Sequence, residues 1–128
     1  EHQGAAYLRP DPSLAGGITN VRKIAALAEA SYAQVVPHNP LSCVCTAACA
    51  HLDAGLHNIA LQEYPRDEFA APKRDLVREP LRREGGYLCL PEGPGLGVEL
   101  NEEAFRHYPP VPYVRPPLIG PDGGLRDY

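Results

Sequence analysis

Three residues able to move a proton recur at near-even spacing. Asp11, His38 and Glu63 are separated by 27 and 25 residues. Each follows a short apolar run, at residues 5–8, 33–36 and 59–61, and each sits in a polar cluster: Arg9-Pro10-Asp11, Pro37-His38-Asn39 and Gln62-Glu63-Tyr64. A histidine backed by a carboxylate is an oriented general base near neutral pH. A separate glutamate can hydrogen-bond a developing oxyanion when protonated, or act as an acid. Each residue also has a purely structural reading. Asp11, between two prolines, can make an Asx turn; His38 can be a capped loop residue; Glu63 can pair with an arginine.

The elements that must position them follow from the apolar pattern. The runs at 5–8, 33–36 and 59–61 read as short buried strands. Between the first two, Thr19 or Asn20 can cap a helix running to about Ala30, with Val21, Ile24, Ala25, Leu27 and Ala28 on one face. Between the second and third, a helix fits residues 42–54, with Gly55 as its stop. Strand–helix alternation predicts a parallel sheet with right-handed crossovers. In such sheets chemistry gathers at the C-terminal strand ends, where all three residues fall.

Beyond Glu63 the character changes. Residues 65–80 are charged and proline-interrupted and read as surface loop with some helix at 74–78. Gly85-Gly86 joins 81–84 to 87–90 as a hairpin, and Asn101 can cap a short helix through Phe105. Six prolines between 109 and 121 predict extended chain. Residues 1–4 read as a helix tail ending at a glycine. With no methionine and no secretory signal, the chain is expected to begin within a larger architecture.

Composition limits the partners. The 128 residues are 44% apolar and carry a net charge of −4. No basic excess exists to displace counterions, so nucleic acid is excluded as a partner. No apolar run approaches the ~20 residues of a membrane span. Cys43, Cys45, Cys49 and Cys89 fit no zinc-finger spacing and read as free, mostly buried thiols, which suggests a reducing, cytoplasmic compartment. Gly93-Pro94-Gly95-Leu96-Gly97 precedes no long helix and reads as a structural turn, not a phosphate loop. Gly16-Gly17 reads as a tight strand-to-helix turn, with an anion at the helix amides as the alternative. His2, His51, His57 and His107 follow no ligand spacing.

Longer motifs carry a resemblance. Residues 9–19, RPDPSLAGGIT, followed by Arg22-Lys23-Ile24-Ala25, resemble the sixth barrel strand and its helix in the enolase superfamily, mandelate racemase branch. Pro37-His38-Asn39-Pro40-Leu41 is similar to the seventh-strand motif, and Gln62-Glu63-Tyr64 to the eighth. Residues 86–88, 94–98 and 122–128 resemble the C-terminal segment that returns to a capping domain. Among subgroups the likeness is greatest to the acid-sugar dehydratases of the galactonate dehydratase type. Ser42-Cys43 stands where that subgroup usually has Gly-Pro.

The resemblance implies an α/β architecture. Residues 1–64 would form the C-terminal portion, about strands 6–8, of a TIM (β/α)8 barrel. Residues 65–128 would form a loop, a hairpin and a tail that packs on a capping domain. It implies that His38 removes the proton α to a carboxylate, that Asp11 orients His38, and that Glu63 hydrogen-bonds the enediolate. The reaction would be loss of water from a sugar acid to a 2-keto-3-deoxy acid, with Mg²⁺ stabilising the enediolate. The magnesium ligands and the leaving-group acid are expected upstream of Glu1, so the 128-residue chain alone is expected to be inactive. Its partners would be a small-molecule sugar acid and either the N-terminal barrel and capping portion or further copies of itself. The alternatives are a racemase or another enolase-superfamily reaction on the same scaffold, or a non-catalytic remnant or assembly module.

Overall fold

The computed structural model describes residues 4–113 and 118–124. Three parallel segments lie side by side. Strand β1 (Tyr7–Leu8) pairs with β2 (Gln34–Val35), and Val35 bridges in parallel to Ile59. Backbone bonds extend the first pairing beyond the strands: Gln34 donates to Ala6 at 2.9 Å, Val36 to Leu8 at 2.9 Å and His38 to Pro10 at 3.0 Å. On the other side Val35 donates to the Asn58 carbonyl at 2.8 Å and Ala60 to Val35 at 3.0 Å. The next donor toward the third segment would be residue 37. Proline has no N–H, so the ladder stops there and the third segment reaches only a bridge. The Gln62 side chain reaches the Pro37 carbonyl instead, at 3.5 Å.

Helix α1 (Gly17–Glu29) connects β1 to β2 and begins two residues before the expected Thr19 cap. Gly16 and Gly17 take φ of 89° and 85°, which L side chains rarely adopt. The Gly17 N–H closes the turn onto the Pro12 carbonyl at 2.9 Å, so two glycines start the helix without a side-chain cap. Val21, Ala25 and Ala28 form its buried stripe. Leu27, expected on that face, is 73% exposed. At about 100° per residue it lies roughly 100° from Ala28 and 160° from Ala25, outside the stripe.

Helix α2 (Cys43–Gly55) starts at Ser42, whose hydroxyl accepts from the Cys45 N–H at 3.2 Å, and ends at the glycine expected to stop it. Cys43, Cys45, Cys49, Thr46, Ala47, Ala50 and Leu52 are all buried along it. The four cysteines are free thiols, three of them buried. One core joins Ala25, Ala28, Ala33 and Val35 with Leu8, Leu56 and Ile59; a second joins Ala47, Ala50 and Leu81 with Leu88, Leu96 and Val98.

Residues 65–80 depart from the expected surface loop. They form two 3₁₀ turns, Arg66–Phe69 and Lys73–Leu76, in place of the helix at 74–78, and they bury Glu68 and Val77. Val77 bridges antiparallel to Leu100, with Arg78 N–H on Glu99 and Asn101 N–H on Leu76, both at 2.9 Å. This pairing of segments more than twenty residues apart leaves no local signature. The hairpin forms as expected, with Arg83–Glu84 (β3) against Tyr87–Leu88 (β4). Asn101 precedes α3 (Glu102–His107), but its side chain donates to the Asp75 carbonyl at 3.0 Å and does not cap the helix. The expected helix tail at 1–4, the extended chain at 109–121 and the tail at 122–128 fall partly outside the described residues. Among the described residues no helix is long and apolar enough to cross a membrane.

Candidate functional site

The parallel pairing sets the ends of the three segments at one rim. Asp11 lies three residues beyond β1, His38 three beyond β2, and Glu63 four beyond the Ile59 bridge. Asp11 satisfies both readings of its sequence context. Its Oδ1 accepts from the Ser13 N–H at 2.7 Å in an Asx turn, and its Oδ2 lies 3.0 Å from His38 Nδ1. The turn fixes the carboxylate, and the carboxylate fixes the ring. An ionised carboxylate only accepts, so Nδ1 carries the imidazole proton and the basic lone pair is on Nε2. The Asp11 side chain is 5% exposed and that of His38 34%. The orienting group is thus dry and the proton acceptor reachable.

Glu63 stands beside this pair. Its Oε2 accepts from Arg9 at 2.8 Å and from the Asn39 N–H at 3.0 Å. The structural reading of an arginine partner is therefore realised. Burial pushes the Glu63 carboxyl up, but the Asn39 N–H, the hydrogen bond and charge of Arg9, and His38 together outweigh it and hold the group below the usual glutamate range. Glu63 in this state is an acceptor, so donating to an oxyanion requires it first to take up a proton.

The sequence pattern did not single out what stands behind Glu63. Asn39 is fully buried; its Nδ2 donates to the Thr46 hydroxyl at 2.7 Å and to the Glu63 carbonyl at 3.3 Å. Thr46 in turn bonds the Glu68 carboxylate. Burial pushes Glu68 upward, against the hydrogen bond from Thr46 and the charge of Lys73. Asn39 could have been suspected as the neighbour of His38. Nothing in the spacing marks Glu68, which lies past the end of the third parallel segment.

Among the described residues no three His, Cys, Asp or Glu side chains group closely enough to ligate a metal. Asp11 uses one oxygen on Ser13 and the other on His38, and one Glu63 oxygen is shared by Arg9 and Asn39. A cavity of about 530 Å³ opens elsewhere, between α2, residues 60–64 and the hairpin. Asp53, Gln62, Tyr64 and Arg83 line it, and none of the three rim residues does. Burial raises the Asp53 carboxyl there to about 7.

A profile of the family described as Enolase C-terminal domain-like matches residues 1–104. The chain is 43% identical over 112 residues to a D-galactonate dehydratase of Variovorax paradoxus, covering 84% of this chain and 29% of that protein. It is also 43% identical over 108 residues to a D-galactonate dehydratase of Cronobacter sakazakii, covering 80% and 28%. The chain thus spans under a third of the length of these curated relatives. Among solved structures, an enolase from Agrobacterium radiobacter with bound Na and L-malate superposes with a TM-score of 0.81 at 32% identity, over 96% of this chain and 34% of that one. An enolase of the mandelate racemase subgroup from Agrobacterium tumefaciens gives 0.71 at 35% identity, over 80% and 27%.

Proposed function

The chain belongs to the Enolase C-terminal domain-like family, and from that premise we propose that it is the base-bearing part of an acid-sugar dehydratase. Residues 1–64 would supply the last three strands of a (β/α)8 barrel, and residues 65–128 the segment that returns to a capping domain. The observation that carries the reading is the Asp11–His38 contact at 3.0 Å with Glu63 on the same rim. Proton abstraction needs a basic nitrogen whose other nitrogen is held, and the Asx turn at Asp11 supplies that hold. His38 Nε2 would take the proton α to the substrate carboxylate. Asp11 would keep the ring in the Nδ1–H tautomer and stabilise the imidazolium that forms. Glu63, once protonated, would donate to the enediolate oxygen. The relatives named D-galactonate dehydratase favour elimination of water as the outcome and a sugar acid as the substrate. Magnesium, which the resemblance implies, would need ligands outside the described residues.

The test is solvent exchange. In D₂O, the complete enzyme that contains this chain should exchange the α-proton of its sugar acid and form a 2-keto-3-deoxy product. His38→Asn should abolish both while keeping the fold by circular dichroism. Wild-type exchange rates in a folded His38→Asn variant would overturn the assignment.

A further inference from the structure

We infer that Asn39 is a positioning residue that sets where Glu63 stands relative to His38, and that Thr46 holds it in that role. The inference rests on the proposed function only for what the placement is used for. The geometry is independent of it.

Asn39 grips Glu63 twice, through its main-chain N–H to the carboxylate at 3.0 Å and through Nδ2 to the backbone carbonyl at 3.3 Å. It is also covalently next to His38, whose N–H is tied to Pro10 at 3.0 Å. One dipeptide therefore links the proposed base to the proposed oxyanion partner. Arg9 holds the same carboxylate from a side chain 55% exposed and so loosely, and the neighbouring Gln62 amide donates to the Glu63 carbonyl at 2.6 Å. Asn39 is fully buried and supplies the rigid contact to the carboxylate.

What holds Asn39 is Thr46. The asparagine Oδ1 is buried without a hydrogen-bond partner, so the amide is oriented entirely by its Nδ2 bonds. The shorter of these, 2.7 Å, goes to the Thr46 hydroxyl. That hydroxyl has one proton, contested between the Ser42 carbonyl at 3.2 Å and the buried Glu68 carboxylate. Either way its lone pair faces Asn39. Removing the hydroxyl takes the shorter of its two bonds from the Asn39 amide nitrogen and a partner from the buried Glu68 carboxylate.

The charged and titratable groups facing Glu63 are Arg9 from the end of β1 and His38 from the end of β2, alongside the Asn39 N–H. Only the Asn39 contact depends on Thr46, so the threonine can be perturbed without touching the groups proposed to meet substrate. The experiment compares Thr46→Val and Thr46→Ser in the complete enzyme that contains this chain. Glu63 is titrated by ¹³C NMR of labelled carboxyls without substrate, and kcat and KM are measured across pH. Thr46→Val should raise the Glu63 midpoint by about half to one pH unit. It should also lower kcat by more than it raises KM. Thr46→Ser, which keeps the hydroxyl, should restore both.

An unmoved Glu63 midpoint in folded Thr46→Val overturns the inference. So does a Thr46→Ser protein that melts like wild type yet titrates like the valine variant. If Thr46→Val does not fold, Asn39→Ala cuts the same tether from the other end and must show the same rise, or the inference fails. The NMR midpoint is read without substrate. Absence of sugar-acid turnover in the complete wild-type enzyme would therefore defeat the functional reading while leaving this inference to be decided on its own result.

Discussion

Asp11→Asn separates orientation from charge at the rim. Asp11 meets two donors, the Ser13 N–H on Oδ1 at 2.7 Å and His38 Nδ1 on Oδ2 at 3.0 Å. An asparagine has one oxygen and one NH₂ for these two places. Keeping the oxygen on Ser13 turns the NH₂ toward His38, which must then accept at Nδ1 and carry its proton on Nε2. That tautomer is no longer a base at the nitrogen left to the substrate. The opposite orientation preserves the tautomer but leaves the Ser13 N–H facing a donor at a residue 6% exposed. An unpaired buried donor costs about 1–3 kcal/mol, so the productive orientation falls to between about one-fifth and about one-150th of the molecules. The substitution also removes the charge that stabilises the imidazolium, a charge-assisted bond contributing about 1.5–3 kcal/mol. Together these amount to about 2.5–6 kcal/mol, or a loss of roughly 10² to 10⁴ in α-proton exchange. The assay pairs exchange in D₂O with ¹⁵N NMR of His38, in which the proton should move from Nδ1 to Nε2. Exchange within threefold of wild type, with the proton still on Nδ1, would refute the reasoning.

Arg9→Ala should raise the Glu63 midpoint toward its ordinary 4.5 by a few tenths of a unit, because both partners are partly exposed and the Asn39 N–H remains. High salt should reproduce most of that shift in wild type; a wild-type midpoint in the variant would mean that the pair does nothing. Because the folded Glu63 value is depressed, its contribution to stability is present above about pH 4.5 and is lost as pH falls through the lowered value. Asp53 behaves in the opposite sense: its folded value of about 7 lies above its ordinary 3.8, so its contribution is full below about pH 4 and lost as pH rises through 7. Asp53→Asn should therefore raise Tm at pH 8, by the equivalent of about 2 kcal/mol, with the gain vanishing near pH 4; an equal gain at both pH values would count against this. Finally, the 128-residue chain given Mg²⁺ and a panel of sugar acids should form no 2-keto-3-deoxy acid, since the described residues offer no cluster of three metal donors. Metal-dependent turnover by this chain alone would overturn that expectation.

The order of elements and the shared rim were legible in the residues. Short apolar runs alternating with amphipathic stretches permit a parallel arrangement, and parallel strands linked by right-handed crossovers must end on the same side. Residues just past those runs then fall together whatever lies between them, which is why Asp11, His38 and Glu63 could be picked by spacing. Ser42 before α2, Gly55 at its end and the Gly85-Gly86 turn were legible for a related reason: each solves a local backbone problem within a few residues. The Thr19 cap and the Leu27 contact were misread because the left-handed pair Gly16-Gly17 starts the helix earlier and the buried stripe is narrower than the apolar one.

What the tertiary structure alone decided is which polar atoms meet. Pro37 ends the second ladder only because position 37 falls in the register that must donate to the third segment, and register depends on both strands. The Glu63 carboxyl is held below the usual glutamate range because Arg9, 54 residues earlier, and the Asn39 N–H converge on one oxygen. Glu68 is buried because a 3₁₀ turn after the third parallel segment folds it back onto Thr46, whose hydroxyl also receives Asn39. Apolar periodicity reports which face of an element turns inward, since burial acts on whole side chains without direction. Hydrogen bonds need donor and acceptor within about 3 Å and aligned, and that condition is met only once elements distant in the chain have packed.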